Sequence, residues 1–206
     1  MRLLEPGEVW KGLTDLPIFA AALVFAFLIL KNGGADRKRW FAEYILIAVG
    51  GMLGSIVHCF AMPLAANKAL WVVLYIFLYG LVWLFFSLMY EALKGCEADR
   101  KWLYAGVACY AASCLLKLLF DRGDIYIFVA YAMPAAAVLI AECLRHGKEA
   151  AREKTVMILL GLAILSQAMN AFLGSAPVVV AHILVFAAML ALYEVAKNTN
   201  GENIHE

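Results

Sequence analysis

Long apolar runs separated by short polar segments divide this 206-residue chain into seven stretches. A helix needs about 20 apolar residues to cross the hydrocarbon core of a bilayer. Since lipid offers the backbone no hydrogen-bond partners, each stretch is predicted to be a transmembrane helix. The predicted spans are residues 16–31, 40–62, 69–93, 101–120, 125–145, 154–173 and 176–197. The pattern therefore predicts an all-α polytopic membrane protein, a seven-transmembrane-helix bundle.

Glycine and proline mark the predicted ends of these helices. Pro17 and Pro177 are expected in first turns, where a missing N–H costs little. Pro134 lies deep inside the fifth span, so a kink is expected there. The residues at the other predicted ends are Gly33, Gly34, Pro63, Gly95, Gly123, Gly147 and Gly174.

Lysine and arginine alternate between the loops. The second loop carries Lys68, the fourth carries Arg122 and the sixth carries none, whereas the odd loops are basic. Because basic loops face the cytoplasm, the N-terminus is predicted outside and the C-terminus inside. The basic residues of the odd loops are Lys31, Arg37, Lys38, Arg39, Lys94, Arg100, Lys101, Arg145, Lys148, Arg152 and Lys154.

Composition supports a membrane location. The chain is 65% hydrophobic and 16% charged, whereas a soluble domain is about 45–50% apolar. The short loops leave no room for a soluble domain, so residues 1–206 are expected to form one multi-pass integral membrane domain, in the plasma (inner) membrane. A net charge of +1 gives no support for a nucleic-acid partner. Membrane lipids are the expected partners, and the oligomeric state is left open.

Ionisable and polar residues converge near the predicted outer surface. His58 lies about one turn from the outer end of the second span, and Ser55 is one turn deeper on the same face. His182 lies at a similar depth in the seventh span, and Asp15 stands at the outer entrance of the first. Because an ionisable side chain in hydrocarbon needs a partner or a wet cavity, we predict a shared site in the outer leaflet.

Other polar residues have structural explanations as well as functional ones. Gln167 and Asn170, three residues apart in the sixth span, are predicted to lie in a second layer around the site or to join helices by hydrogen bonds. Asp15 follows Thr14 and could be a charge near a helix N-cap. Ser55 could serve close helix packing. Glutamates near the cytoplasmic ends are expected to reach water beside basic residues; they are Glu43, Glu91, Glu142 and Glu194.

The motif Ser55-x-x-His58 and the early position of His182 in the last of seven helices resemble one membrane superfamily. It comprises alkaline ceramidases, progestin/adipoQ receptors and bacterial hemolysin III-like proteins. The resemblance implies a zinc ion held by His58 and His182, a catalytic role for Ser55, and hydrolysis of lipid amides. The family's second histidine of the last helix falls here on Phe186, which cannot bind metal.

A different third ligand would complete such a zinc site. Catalytic zinc usually has three protein ligands and one open position. Asp15, on the first span, is the candidate for the third ligand beside His58 and His182. The sequence thus favours a variant metal-dependent lipid hydrolase, with Ser55 and Asp15 in catalytic roles.

Two other classes of function stay open. One is a non-catalytic lipid-binding or receptor-like protein, in which the histidines form a hydrogen-bonded core. The other is a small transporter, which is less favoured because spans one to three show no repeat in spans five to seven. A retinal receptor is excluded, since the last span has no lysine before Lys197.

Overall fold

The chain is predominantly helical, as a computed structural model shows. It describes residues 2–4, 6–32, 36–120, 127–173 and 176–198. Within these residues there are seven α-helices, one π-helical segment and two short strands, β1 and β2, which pair antiparallel. In chain order they are β1 Arg2–Leu3, α1 Pro6–Asn32, α2 Arg37–Cys59, β2 Phe60–Ala61, α3 Leu64–Lys94, α4 Lys101–Phe120, the π segment Ile127–Ala132, α5 Met133–Arg145, α6 Ala151–Leu173 and α7 Ala176–Asn198.

Five of the described helices have the length and composition of membrane spans. They are α1 to α4 and α7, each with an apolar window of 18 residues or more. Their backbone hydrogen bonds are made within each helix, as a lipid environment requires. The apolar runs therefore predicted the helical, membrane-spanning character of this part of the chain correctly.

Helices that follow one another in sequence pack side by side. The most extensive contacts are those of α1 with α2 and of α6 with α7, and α3 packs against α2, α4 and α5. The last helix, α7, also packs against the first, which closes the bundle. As a result α1 lies between α2 and α7, the two helices that carry His58 and His182.

The first helix begins well before the predicted start at residue 16. It starts at Pro6. Inside this first part of α1, the Thr14 hydroxyl donates a hydrogen bond of 2.8 Å to the Lys11 carbonyl. Lys11 also pairs with Glu8, one turn earlier, which favours helix in this polar segment. The prediction for Pro17 is therefore wrong, because this residue lies inside α1. Pro177 is the second residue of α7, as predicted.

Several predicted helix ends are confirmed. Gly95 follows α3 with φ 65°, and Gly147 follows α5 with φ 59°, both in the left-handed region that glycine adopts without steric cost. At the start of α4, Asp99 accepts a hydrogen bond of 2.8 Å from the Lys101 amide. This bond holds the pKa of the Asp99 carboxyl below its usual value. Among the glycines predicted at helix ends, those outside the described residues are Gly33, Gly34, Gly123 and Gly174.

The fifth predicted span has an irregular backbone. Residues Ile127–Ala132 form a π-helical turn, and α5 begins next with Pro134 in its first turn. The Tyr131 hydroxyl donates a hydrogen bond of 2.9 Å to the Trp102 carbonyl, which joins the π segment to α4. The interruption thus occurs where Pro134 predicted a kink.

Two glutamates depart from the expectation that the inner glutamates reach water. Glu91, which accepts a hydrogen bond of 2.6 Å from Arg39, is half-buried. Glu142 accepts one of 2.9 Å from Arg145 but is itself buried, with 7% exposed. Glu43 is only 1% exposed, and its Oε2 has no hydrogen-bond partner among the described residues. That prediction is wrong because Glu43 shares the buried face of α2 with Trp40, three residues earlier.

Candidate functional site

The site is built where α1 meets α2 and α7. His182 Nδ1 lies 2.7 Å from Thr14 Oγ1 and 3.4 Å from Asp15 Oδ1. Asp15 is only 7% exposed, so its carboxylate is largely withdrawn from solvent. The structure therefore brings together two of the residues predicted for the site, Asp15 and His182, across the α1–α7 contact.

The hydrogen bonds of Thr14 indicate which nitrogen of His182 carries a proton. A threonine hydroxyl has a single proton, and Thr14 donates it to the Lys11 carbonyl at 2.8 Å. Its oxygen is then placed to accept from His182 Nδ1–H at 2.7 Å, and the Asp15 carboxyl lies 3.4 Å from the same nitrogen. In this arrangement the other ring nitrogen, Nε2, keeps its lone pair.

Small residues of α1 and α2 let the site form. A Cβ atom added at Gly54 would lie 2.7 Å from Asp15 Oδ2, and one added at Gly51 would lie 3.1 Å from the Asp15 carbonyl. A Cβ atom at Gly12 would lie 2.9 Å from the Ser55 carbonyl. Ser55 is itself buried. The glycines thus allow the close approach of the two helices that places Asp15 and Ser55.

His58 belongs to the same end of the bundle but has a different carboxylate. Its Nδ1 lies 3.5 Å from Glu8 Oε2, and Glu8 also pairs with Lys11. On its other side, the His58 ring contacts Trp71 edge-on, with 6.0 Å between centroids. Lys117 Nζ lies 4.8 Å from the centre of that Trp71 ring. The polar layer therefore continues from α2 to α3 and α4.

The structure does not gather the predicted zinc ligands into one cluster. Among the described residues no three histidine, cysteine or acidic side chains stand where they could share a metal ion. Asp15 contacts the imidazole of His182. A carboxylate in this position orients a histidine, whereas a third metal ligand would face the metal ion itself.

The sixth helix, α6, contributes fewer described side chains to the site than the sequence predicted. Gln167 is half-buried on α6, and the side chain of Asn170 lies outside the described part of the chain. Instead, the Ser166 hydroxyl donates a hydrogen bond of 2.7 Å to the Pro177 carbonyl. This bond joins α6 to the first turn of α7, the helix that carries His182.

Sequence reasoning missed Glu8, Lys11 and Thr14, because they precede the apolar run of the first span. Their spacing contained a signal: Glu8, Lys11 and Asp15 stand at i, i+3 and i+7 and share one helical face. Trp71 had no comparable signal, since the third span contains many aromatic residues. Only its contacts with His58 and Lys117 distinguish it.

Two grooves run along α3 and α4, and neither is lined by a histidine. The chain matches none of the protein-family models, curated proteins or solved structures with which it was compared. The geometry of the histidine site is therefore the basis for a functional proposal.

Proposed function

We propose that the protein is a seven-span membrane protein of the plasma membrane, with the N-terminus outside, whose outer histidine site performs acid–base chemistry on a membrane lipid. The topology is supported by the five apolar helices and by the basic odd loops. The helices α5 and α6 supply the two remaining spans. In this topology Asp15, His58 and His182 lie near the outer surface.

The observation that carries the proposal is the position of His182 Nδ1 between Thr14 Oγ1 and Asp15 Oδ1. A carboxylate that accepts from one ring nitrogen fixes the tautomer and stabilises the imidazolium that forms when the other nitrogen takes a proton. Asp15 is therefore a positioning residue, and His182 Nε2 is the general base.

A lipid ester or amide is the substrate class that fits the surroundings. Val180 and Ile183, which flank His182 on α7, are 49% and 59% exposed, so this part of the helix borders the lipid phase. The carbonyl group of a lipid, which lies near its headgroup, can reach His182 from the membrane, so the site needs no deep pocket. Lys11, one turn before Asp15 on the same face, supplies a positive charge near the site.

The proposed reaction is hydrolysis. His182 Nε2 takes a proton from water, and the resulting hydroxide forms a bond to the lipid carbonyl carbon. The carbon–oxygen or carbon–nitrogen bond then breaks, and the imidazolium returns its proton to the leaving group. Ser55 stays the alternative nucleophile. In that case its oxygen bonds to the carbonyl carbon as its proton moves to His182, the bond to the leaving group breaks as the imidazolium returns that proton, and water then hydrolyses the acyl–serine ester.

The test is hydrolysis of lipid esters and amides by the purified protein in lipid nanodiscs. We expect turnover that His182→Ala abolishes and that Asp15→Asn lowers about 100-fold or more. His146→Ala, in the turn after α5, is the matched control and is expected to keep full activity.

Metal content gives a second readout of the same proposal. We expect less than one zinc per chain and activity that survives a chelator. Stoichiometric zinc lost in His58→Ala would contradict the metal-free site, and absence of turnover on every lipid would contradict the hydrolase.

A second function is favoured by a specific observation. Both histidines have local partners, Glu8 for His58 and Thr14 with Asp15 for His182, as expected of a polar contact that joins three helices. In that case the protein is a non-catalytic lipid-binding protein. Wild-type protein would then show no turnover, His182→Ala would lower its thermal unfolding midpoint, and a lipid would co-purify.

A further inference from the structure

A continuous groove runs along α3 and α4, on helices other than those that hold His182 and Asp15. Its polar part has a volume of about 460 Å³ and its apolar part about 200 Å³. Both parts are lined by Trp83 and Leu103, so the two grooves adjoin and form one path along α3 and α4. The remaining residues of the polar part are Arg39, Ser87, Glu97, Ala98, Arg100 and Tyr104.

The two parts together have about the length of one membrane leaflet. The apolar part extends along α3 from Ile76 to Trp83, and the polar part continues to Ser87 on the same helix. At 1.5 Å per residue this distance is about 16 Å, roughly half the hydrocarbon thickness of a bilayer. Ile76 and Val107 are more than half exposed, so the groove is open to lipid. Its apolar and aromatic lining suits an acyl chain.

The polar part offers one available cation and one available anion. Arg39 is already bound by Glu91 at 2.6 Å and by Ser87 at 3.0 Å. Arg100 and Glu97, by contrast, are exposed and form no ion pair with another described residue. The charges left for a ligand are therefore one guanidinium and one carboxylate, three positions apart in the α3–α4 loop.

The rim of the groove has the aromatic character of a membrane interface. Tyr104 is 66% exposed, and Trp83 stands where the polar and apolar parts meet. Tryptophan and tyrosine favour the headgroup level of a bilayer, because one end of each ring system is apolar and the other is polar. The level of the headgroup is thus expected beside Arg100.

We propose that this groove binds a phospholipid with a primary amine in its headgroup, of the phosphatidylethanolamine class. The phosphate accepts hydrogen bonds from Arg100, the ammonium donates to Glu97, and one acyl chain lies between α3 and α4. An anionic glycerol headgroup offers Glu97 no cation, and a choline headgroup offers it no N–H donor. The proposal is independent of the chemistry assigned to His182.

The experiment is native mass spectrometry of the purified full chain with phosphatidylethanolamine, phosphatidylglycerol and phosphatidylcholine of identical acyl chains. We expect the wild type to retain the ethanolamine lipid preferentially. Glu97→Gln should reduce its binding to the phosphatidylcholine level, and Arg100→Gln should weaken all three lipids about tenfold or more. Lys38→Gln, exposed at the same end of the bundle, is the control and should change nothing.

A substitution in the apolar part tests the acyl-chain site separately. Val107→Trp would fill the groove at a position that is 58% exposed, so the fold should persist, as checked by the thermal unfolding midpoint. Retention of all three lipids should fall. Equal retention of the three lipids by the wild type, or a preference for phosphatidylglycerol that Glu97→Gln leaves unchanged, would overturn the proposal.

Discussion

Asp15 is held by contacts on two sides, and both matter to what it does. On one side its carboxylate lies 3.4 Å from His182 Nδ1. On the other side the carboxylate lies against Gly54, where an added Cβ atom would be only 2.7 Å from Asp15 Oδ2. The close approach of α1 and α2 at Gly54 therefore limits the space around the Asp15 carboxyl beside His182.

Gly54→Ala is expected to destabilise the protein by about 1–3 kcal/mol, because its Cβ would lie 2.7 Å from Asp15 Oδ2 and a tightly packed contact must shift. Gly50→Ala, one turn earlier on α2, is the matched control, since a Cβ there meets nothing within 4 Å. Unfolding by a denaturing detergent compares the two. Equal unfolding free energies would show that the Asp15 contact is looser than described.

At the scale of secondary structure, the apolar pattern predicted some parts of the helices and missed others. The interior of each span could be predicted, because a helix in lipid must satisfy its own backbone hydrogen bonds. The start of α1 could not, since Glu8 and Lys11 are polar and their helix is stabilised by side-chain pairing instead. Likewise, Pro134 indicated an irregular fifth span, but the π-helical form of Ile127–Ala132 depends on packing against α4.

Packing of the π segment on α4 depends on Gly106. A Cβ there would lie 2.8 Å from Tyr131 Cζ, so Gly106→Ala should displace Tyr131 and break its 2.9 Å hydrogen bond to the Trp102 carbonyl. We expect a loss of about 1–3 kcal/mol, seen as a lower thermal unfolding midpoint. Gly161→Ala on α6, where a Cβ meets nothing within 4 Å, should leave that midpoint unchanged or raise it.

At the scale of the whole molecule, the contact between the first and the last helix determines which residues meet at the site. The contact of α7 with α1 brings His182 to Thr14 and Asp15, which are far away in sequence. The helices that carry His58 and His182 were predictable from the apolar runs, because both residues lie inside such runs. Their carboxylate partners were not, because a partner depends on the rotation of each helix, which close packing fixes.

The orientation of the bundle can be measured with cysteine labelling. Cys96, in the α3–α4 loop, is exposed, and the other thiols are buried or half-buried. With this loop in the cytoplasm, a membrane-impermeant maleimide should label Cys96 only after the cells are permeabilised. Ala65→Cys in a Cys96→Ser background, at the opposite end of α3, should be labelled in intact cells. Labelling of Cys96 in intact cells would reverse the topology.

The sequence by itself determined that the chain forms long apolar helices, because helix formation in an apolar run follows from local hydrogen bonding and local hydropathy. Only the tertiary structure decided that Asp15 lies beside His182, that Glu8 lies beside His58, and that Glu43 is buried. Each of these depends on how helices rotate and approach one another. Glycines such as Gly54 set that approach by leaving out a side chain where another group must fit.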